Sequence, residues 1–586
     1  MNTVDLRRTR RKGLACAAVA AFASLAIMPA TAEVANPNFV PADSAYIISV
    51  PNTATAWSAW SENGLYGAFK KIQALPEVQE KSADFRKEMS IIESSLGFKL
   101  DGDTLSKIFS TADIYMQAPS SGSELDAVAI LKVADADKAN KLMDLAEKAV
   151  AKSAESDDST SETETSDKST SAVIVTDYNG VQIKSFKPDA DGKSKFHYAR
   201  VNDFLVASGD DASLKKAIDR IKANTAAADT FAGSEDFKKV DAALASEKGQ
   251  LYVYGDQAKS NKLSGAGQMP AAISGPLQAL VDDMAPISYY GASVKIDPKE
   301  VSSYSYALLK PGSENSLLVK NPGDKPLEVA TYIPSKTLLG FATSLIDPQA
   351  IAKVITGISS SSSDAEKLSN QVEGMEAGMG FSLKNDLLPA LGNQTGFSLS
   401  NVEFGGLIPS VDATILVGVK DKAKMTKVVN GLERLATNAL AAKASDSETS
   451  APEFQQVTVE GQTVKYLELP GLPNVAPGFV LTDDFLIIGS SKAALEGALK
   501  AHAGKDNLAS GATLTALGHN ISGNANMIQY ANLGKILSVV RQITSAIPAA
   551  QPAGKYIDAA SVLDASASAS RVENGALVSH GVLKLK

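Results

Sequence analysis

An internal repeat constrains this fold more than any other feature of the sequence. VPADSAYIISV at Val40–Val50 is similar to IPSKTLLGFAT at Ile333–Thr343, 293 positions later. Later pairs recur in the same order at separations between 276 and 286. They are LGFKLDGD and MGFSLKND, LDAVAILKVADADK and VDATILVGVKDKAK, VNDFLVASG and TDDFLIIGS, QLYVYGD and NMIQYAN, and SYALLK and HGVLKLK. Each pair alone could be two ordinary strands, but their shared order indicates a tandem duplication.

The repeat sets the predicted domain boundaries. A chain of 586 residues is too long for one hydrophobic core. We place copy 1 at residues 40–310 and copy 2 at residues 333–586, joined by a Pro- and Gly-rich linker at 311–332. A low-complexity run follows the same helical pattern in each copy, at 152–171 and 443–452. We interpret both runs as flexible exposed loops, with a modified or adhesive segment as the alternative.

Each copy mixes helical and strand periodicity. After the LDAVAILKV strand, Leu142, Leu145 and Ala149 recur at helical spacing, as do Met425, Val428 and related residues in copy 2. VQIKSF, KFHYARV and FLVASG then follow one another with short polar turns, which favours an antiparallel meander. We predict an α+β fold of two tandem copies, each an antiparallel sheet covered by helices on one face.

The first 32 residues have the pattern of a signal peptide. Five basic residues between Arg7 and Lys12 precede an uncharged stretch from Gly13 to Met28 and an Ala30-Thr31-Ala32 cleavage pattern. We expect cleavage and export to the periplasm, the outer membrane or the medium. An uncleaved signal anchor is the alternative. A lipid anchor at Cys16 is disfavoured, because this cysteine lies at the start of the apolar stretch.

The charge of the mature chain limits its partners. Cleavage removes five basic residues and Asp5 from 57 Lys+Arg and 66 Asp+Glu, which leaves a formal charge of −13. Such a chain repels nucleic acid and anionic lipid unless it has a local basic patch, and no Lys/Arg cluster is evident outside the signal peptide, so neither partner is expected. No second long apolar run follows, and we expect no stable membrane insertion after cleavage. Cys16 leaves with the signal peptide, so no disulfide or thiolate metal site is expected. We expect no cofactor.

No linear motif indicates catalysis or metal binding. His197, His502, His519 and His580 are scattered without metal-ligand spacing. The glycines Gly374, Gly378 and Gly380 lack the strand and helix of a dinucleotide site, and we interpret them as turn glycines. Asp189-Ala190-Asp191-Gly192 resembles part of a calcium loop, but Lys187 occupies the first ligand position. A hairpin turn is the better interpretation.

Trp57 and Trp60 are the two tryptophans of the chain and form a candidate binding platform. Their spacing puts them on one face of a helix, near Tyr66 or Phe69. Indole rings suit sugar rings, apolar ligands or a membrane surface. A core-facing amphipathic stripe is the structural alternative. Copy 2 has no tryptophan at this place, so the feature belongs to copy 1.

The VPADSAYIISVPN opening after a signal peptide, followed by strand and helix repeats, resembles a family of exported bacterial proteins of uncharacterised function. The resemblance implies an exported protein and carries over no active-site residue. We favour a non-catalytic envelope or secreted protein that binds or scaffolds a ligand. One alternative is an exported hydrolase whose site is formed by residues distant in sequence. Another is carbohydrate or surface recognition through Trp57 and Trp60.

Overall fold

The computed structural model forms two compact units. Unit 1 contains residues 1–268 and 288–308, and unit 2 contains residues 269–287 and 309–586. Structure is described here for residues 35–117, 126–155, 173–186, 196–223, 229–263, 286–313, 326–345, 374, 376–404, 410–445, 452–469, 475–504, 506–510 and 525–586. The predicted signal peptide and His519 lie outside these ranges, as do the Asp189–Gly192 turn and most of both low-complexity runs.

Ten strands build the sheet of unit 1. Their order is β10-β9-β8-β1-β2-β3-β7-β6-β5-β4, and the ladders from β9 to β4 are antiparallel. The strands are β1 (Tyr46–Val50), β2 (Phe109–Gln117), β3 (Asp126–Val133), β4 (Val173–Tyr178), β5 (Val181–Phe186), β6 (His197–Val201), β7 (Phe204–Ser208), β8 (Leu251–Asp256), β9 (Ile287–Asp297) and β10 (Glu300–Leu309). The meander of β5, β6 and β7 confirms the antiparallel arrangement predicted from the sequence.

Nine helices accompany this sheet within the described residues of unit 1. They are α1 (Thr53–Glu62), α2 (Gly64–Gln73), α3 (Pro76–Lys81), α4 (Ala83–Leu96), α5 (Gly102–Ile108), α6 (Ala136–Glu155), α7 (Asp211–Ala223), α8 (Glu235–Leu244) and α9 (Gln257–Leu263). Asp210 caps the N-terminus of α7, because its carboxylate accepts a 2.9 Å bond from the Ser213 amide.

Unit 2 has the same strand order, β20-β19-β18-β11-β12-β13-β17-β16-β15-β14, in antiparallel ladders. Its strands are β11 (Leu339–Thr343), β12 (Leu391–Glu403), β13 (Ser410–Val419), β14 (Phe454–Val459), β15 (Gln462–Leu467), β16 (Gly478–Leu481), β17 (Phe485–Gly489), β18 (Met527–Ala531), β19 (Leu563–Glu573) and β20 (Ala576–Leu585). Its described helices are α10 (Leu388–Ala390), α11 (Lys422–Ser445), α12 (Lys492–Gly504), α13 (Leu533–Ala546) and α14 (Gly554–Ala560).

Helices pack on both faces of each sheet, which corrects the prediction of helices on one face. Ile130 and Leu131 are neighbours on β3, so their side chains point to opposite faces. Ile130 lies in a core cluster with residues of α7 and α8, whereas Leu131 lies in another with residues of α1, α5 and α6. In unit 2, Ile487 packs with α12 and its neighbour Leu486 packs with α11.

Three predicted boundaries also change. Residues 327–332, assigned to the linker, belong to the core of unit 2, where Val329 and Ala330 are fully buried. The Pro and Gly residues that indicated a linker end at Pro326, and the apolar run after them is part of the fold. Both low-complexity runs begin inside helices, because α6 continues to Glu155 and α11 continues to Ser445.

Candidate functional site

The helix pair α1–α2 carries the two tryptophans. Asn52 caps α1 by accepting a 2.9 Å bond from the Thr55 amide. Asn63 lies between the two helices and caps α2 by accepting a 2.9 Å bond from the Leu65 amide. The Asn63 side chain is buried and donates a 2.6 Å bond to the Asp297 carbonyl. This buried amide therefore fixes the α1–α2 junction to the β9–β10 hairpin.

Tyr66 joins both tryptophans into one aromatic cluster. The Trp57 and Tyr66 rings meet edge to face with centroids 5.4 Å apart, and Trp60 lies 6.1 Å from the same ring. The Lys70 ammonium lies 4.5 Å from the centroid of Tyr66. Trp57 also packs against the buried cluster that contains Ala56. Both indoles are half-buried, so their described contacts hold α1 against α2 and the core.

The chain geometry differs from the single helix that the sequence pattern suggested. Helix α1 ends at Glu62, and Tyr66 reaches the tryptophans from the following helix. Phe69, the other expected neighbour, is 48% exposed. The break occurs at Asn63, whose extended backbone and side-chain cap start a new helix there.

Exposed apolar side chains occur on both α2 and α4. Phe69 on α2 is 48% exposed, and Phe85 and Ile91 on α4 are 52% and 61% exposed. Helices α2 and α3 have no buried residue. Residues 64–96 carry five basic and five acidic residues, so this surface is neutral. We call this part of the chain, residues 64–96, the α2–α4 surface. An apolar centre within mixed charges is the composition of a protein-binding surface.

A buried carboxyl group is the most strongly perturbed acid in the described part of unit 1. Asp113 on β2 is fully buried and accepts bonds from Ser49 Oγ at 2.5 Å and from Asn36 Nδ2 at 2.7 Å. Burial raises the pKa of Asp113 to about 6, although the Ser49 and Asn36 hydrogen bonds oppose the shift. Ser49 Oγ also accepts a 3.0 Å bond from the Ala35 amide. The hydrogen-bond network of Asn36, Ser49 and Asp113 therefore holds the first described residues of the chain onto the sheet.

Unit 2 has apolar residues at all three positions of this network. Ala342 pairs with Gly396 on β11 and β12, as Ser49 pairs with Asp113 on β1 and β2. Val329 lies 293 positions after Asn36, the separation of the first repeat pair. A Cβ at Gly396 would lie 2.9 Å from the Val329 side chain. The absence of a side chain at Gly396 therefore makes room for valine where unit 1 has Asn36.

Other pairs of polar groups are part of the sheet. Ser185 Oγ lies 2.7 Å from His197 Nδ1, and the two residues oppose each other on β5 and β6. Both are more than nine-tenths buried on the face that packs against α7, so this pair satisfies buried polar groups. Tyr254 donates a 2.6 Å bond to Asp241, and burial raises the pKa of Tyr254. The ring is therefore a neutral donor.

Among the described positions that the sequence pattern singled out, Gly374 and Gly378 lie in helical segments, which corrects their interpretation as turn glycines, whereas Gly380 is a turn residue. Across the described ranges, no group of three or more His, Cys, Asp or Glu residues could hold a metal ion. His502 stacks on Tyr332 with centroids 4.1 Å apart. Gly380 lies in a turn with a φ of 72°, and the Arg434 guanidinium fills the space beside it. No described helix is long and apolar enough to cross a membrane.

Sequence reasoning found the tryptophans but missed Asp113, Asn63 and the α2–α4 surface. Asp113 lies between Ala112 and Ile114 in a strand where alternate residues are buried. Thr111, Asp113 and Gln117 alternate with the apolar Ala112, Ile114 and Met116, so the sequence pattern alone puts Asp113 on a polar face. Nothing in the local pattern of α4 distinguishes an exposed Phe85 from a buried one, because exposure depends on what packs against the helix.

Comparisons with known proteins give one family and distant structural likenesses. Among curated proteins, none matches the sequence. Three solved structures of TP0453, in crystal forms III, IV and I, share 10%, 9% and 8% identity with this chain at TM-scores of 0.23, 0.24 and 0.22. They cover 47%, 48% and 48% of this chain, and 80%, 82% and 81% of their own chains are matched. Such low TM-scores carry no argument about function.

The family model described as "Protein of unknown function (DUF3352)" matches residues 13–459. The match covers most of the chain and extends from before β1 into unit 2. The resemblance to an uncharacterised family, inferred from the VPADSAYIISVPN opening, is therefore confirmed. The chain belongs to the DUF3352 family of proteins of unknown function.

Proposed function

We propose that this protein is a non-catalytic, exported binding protein of the bacterial envelope, and that the α2–α4 surface of unit 1 binds a partner protein. The observation that carries the proposal is the exposure of Phe69, Phe85 and Ile91 within a segment of balanced charge. The basic signal-peptide pattern of residues 1–32 supports export.

A tandem duplication accounts for the architecture. The two units share one strand order, and one ion pair occurs at equivalent positions in both. Lys184 lies 2.6 Å from Glu147 in unit 1, and Lys465 lies 2.8 Å from Glu433 in unit 2. In each unit the pair joins the long helix after the third strand, α6 or α11, to an equivalent strand, β5 or β15. Chance similarity of strands does not explain the same tertiary contact.

Duplication allows one copy to acquire a binding role while the shared sheet preserves the fold. The aromatic cluster gives the α2–α4 surface a fixed base, because Tyr66 on α2 contacts both tryptophans of α1. The buried Asn63 then ties the same junction to the sheet. A pre-organised base reduces the conformational entropy that binding must remove.

A partner protein fits the α2–α4 surface better than a charged ligand does. The five basic residues of this segment are matched by five acidic residues, so neither an anion nor a cation is favoured by net charge. Apolar side chains with a mixed polar rim are the usual composition of protein interfaces. Aromatic residues such as Phe69 and Phe85 contribute large contact area with few rotatable bonds.

A crosslinking experiment in living cells tests this surface. A photoreactive benzophenone amino acid is placed at Phe85, and in a control chain at Val175, which is exposed on β4 and lies outside residues 64–96. The proposal expects one discrete adduct from position 85 and none of that mass from position 175. Adducts of equal yield and mass at both positions, or no adduct at either, would contradict it.

The identified partner is then tested as a purified protein. Titration into the mature chain should shift the emission of Trp57 and Trp60, because both lie beside the α2–α4 surface. Phe85→Ser should weaken binding by about tenfold or more, since a buried aromatic anchor contributes well over 1 kcal/mol. Val175→Ser is the matched control and should bind as the unmodified protein does. Equal binding by both variants would refute the assignment. Cell fractionation tests export, and recovery in the cytoplasm would contradict it.

A further inference from the structure

Helix α13 of unit 2 presents an apolar row to solvent. Val540 and Ile543 on α13 are 37% and 36% exposed, and Ile547, the extended residue that follows the helix, is 48% exposed. None of the 14 residues of α13 is buried, although the helix has marked amphipathic character. Soluble monomers normally bury such a row. Helix α13 packs against α14 and the intervening 3-10 helix (Pro548–Ala553), yet these apolar side chains stay exposed.

The first half of α13 is anchored. Asn532 caps the helix by accepting a 2.9 Å bond from the Lys535 amide. Ile536 and Leu537 are half-buried, and the helix packs along β19. The exposed row begins one turn later, so a fixed base holds the apolar side chains away from the sheet. The anchored first half of α13 therefore fixes the position of the exposed apolar side chains in its second half.

The charge of this region opposes that of the chain. From Leu533 to Ile557 the sequence has the basic residues Lys535, Arg541 and Lys555 and no acidic residue. Asp558 follows and forms an ion pair with Arg541. The complete chain has a net charge of −9, whereas residues 533–560 carry three basic residues and one acid, a local net charge of +2. The basic side chains flank an apolar row that faces solvent.

We propose that the α13–α14 region, residues 533–560, binds an anionic lipid surface, with Val540, Ile543 and Ile547 entering the boundary between headgroups and acyl chains. Amphipathic helices with basic polar faces lie in this interface plane. Each basic residue near an anionic surface adds about 1 kcal/mol of attraction. Phosphate groups are competing partners for Arg541, whose exposed ion pair with Asp558 is weak in water.

A second copy of this chain fits the region less well. A two-fold contact through α13 would bring the basic residues of one copy against those of the other, which costs energy at a like-charged interface. The α2–α4 surface, by contrast, has balanced charges and gains nothing from an anionic membrane. The difference in net charge therefore predicts a different kind of partner for each surface. The lipid proposal for α13–α14 does not depend on the proposed function of unit 1.

Vesicle co-sedimentation of the full mature chain tests the proposal. Vesicles contain equal parts of phosphatidylglycerol and phosphatidylcholine, and pure phosphatidylcholine vesicles are the comparison. We expect binding to the first and at least about tenfold weaker binding to the second, with the difference shrinking at high salt. Absence of binding to the anionic vesicles, or equal binding to both kinds, would overturn the proposal.

Variants locate the contact. Val540→Ser with Ile543→Ser removes two exposed apolar groups and should weaken vesicle binding by about tenfold or more. The matched control is Ile174→Ser with Val175→Ser, which removes two exposed apolar groups from β4 and should bind as the unmodified chain does. Circular dichroism checks that both variants fold. Equal vesicle binding by both double variants would refute a role for α13.

Tryptophan emission gives an internal check. Trp57 and Trp60 lie in unit 1, so vesicle binding through α13 should leave their emission unchanged. A blue shift on vesicle addition would place the contact at the α1–α4 helices instead and would overturn the assignment to α13.

Discussion

Asp113→Asn should flatten the pH dependence of the stability of unit 1. Burial raises the pKa of Asp113 from 3.8 to about 6, so the folded state holds this proton more tightly than the unfolded state. Proton binding by Asp113 therefore stabilises the folded state. This contribution to the unfolding free energy is fully present below pH 3.8 and is lost as pH rises through about 6. From about pH 4.5 to 7.5, the wild type should lose about 2 kcal/mol of unfolding free energy that the variant keeps.

The assay is urea unfolding followed by tryptophan emission at a series of pH values. Both tryptophans lie in unit 1, so the signal reports that unit alone. The difference between wild type and variant isolates Asp113, because other carboxylates titrate equally in both proteins. Asp43→Asn removes an exposed carboxylate from the same unit and should retain the wild-type slope.

Hydrogen bonding also changes in the variant. The new amide at position 113 keeps one oxygen to accept from Ser49 Oγ, but its nitrogen faces the donating Nδ2 of Asn36. Rotation of the Asn36 side-chain amide restores a donor–acceptor pair. A variant that is folded yet shows the full wild-type pH slope would refute the assignment of a raised pKa to Asp113.

Three smaller predictions concern the backbone and the repeated ion pair. Gly396→Ala should destabilise unit 2 by about 1–3 kcal/mol in circular-dichroism melts, because its Cβ would lie 2.9 Å from Val329; an unchanged melt would contradict the packing. Gly180→Ala should cost about 1 kcal/mol through its φ of 74° alone, since the space beside it is open; a loss above about 3 kcal/mol would contradict this. A double-mutant cycle on Glu433 and Lys465 should give a coupling below about 1 kcal/mol, because both side chains are partly exposed; a larger coupling would show a less hydrated pair.

The sheet was largely predictable because its residues alternate. The strands at VNDFLVASG and TDDFLIIGS occur as β7 and β17, and each is followed by a helix, α7 or α12. Alternation reveals that neighbours such as Ile130 and Leu131 face opposite ways, but not what covers each face. Both are buried here, so covering helices lie on both sides. The one-face prediction failed because tertiary packing, not local pattern, decides coverage.

The aromatic cluster was half predictable. Spacing correctly put Trp57 and Trp60 on one helix, and Tyr66 is their contact. The sequence did not reveal the break at Asn63, because asparagine occurs both within helices and at caps. That break sends Phe69 towards solvent and creates the α2–α4 surface. The network at Asp113 was also hidden, since its partner Asn36 lies 77 residues away in sequence.

Engineered disulfides test the repeated architecture most directly. Cys16 is the single native cysteine and lies in the predicted signal peptide, so the mature chain offers no competing thiol. Ala129 pairs with Ala207 on β3 and β7, and Ile415 pairs with Ile488 at the equivalent positions of unit 2. Residues that oppose each other on antiparallel strands have Cα atoms within disulfide range, so cysteines placed at either pair can form a disulfide.

The measurement is the yield of each crosslink in the folded mature chain, read by mass spectrometry without reduction. The account predicts that Ala129→Cys/Ala207→Cys and Ile415→Cys/Ile488→Cys both close. Ala129→Cys/Val206→Cys should stay open, because side chains at adjacent strand positions point to opposite faces. Closure in unit 1 alone, or equal closure of the shifted control, would contradict the claim that one sheet architecture occurs twice in this chain.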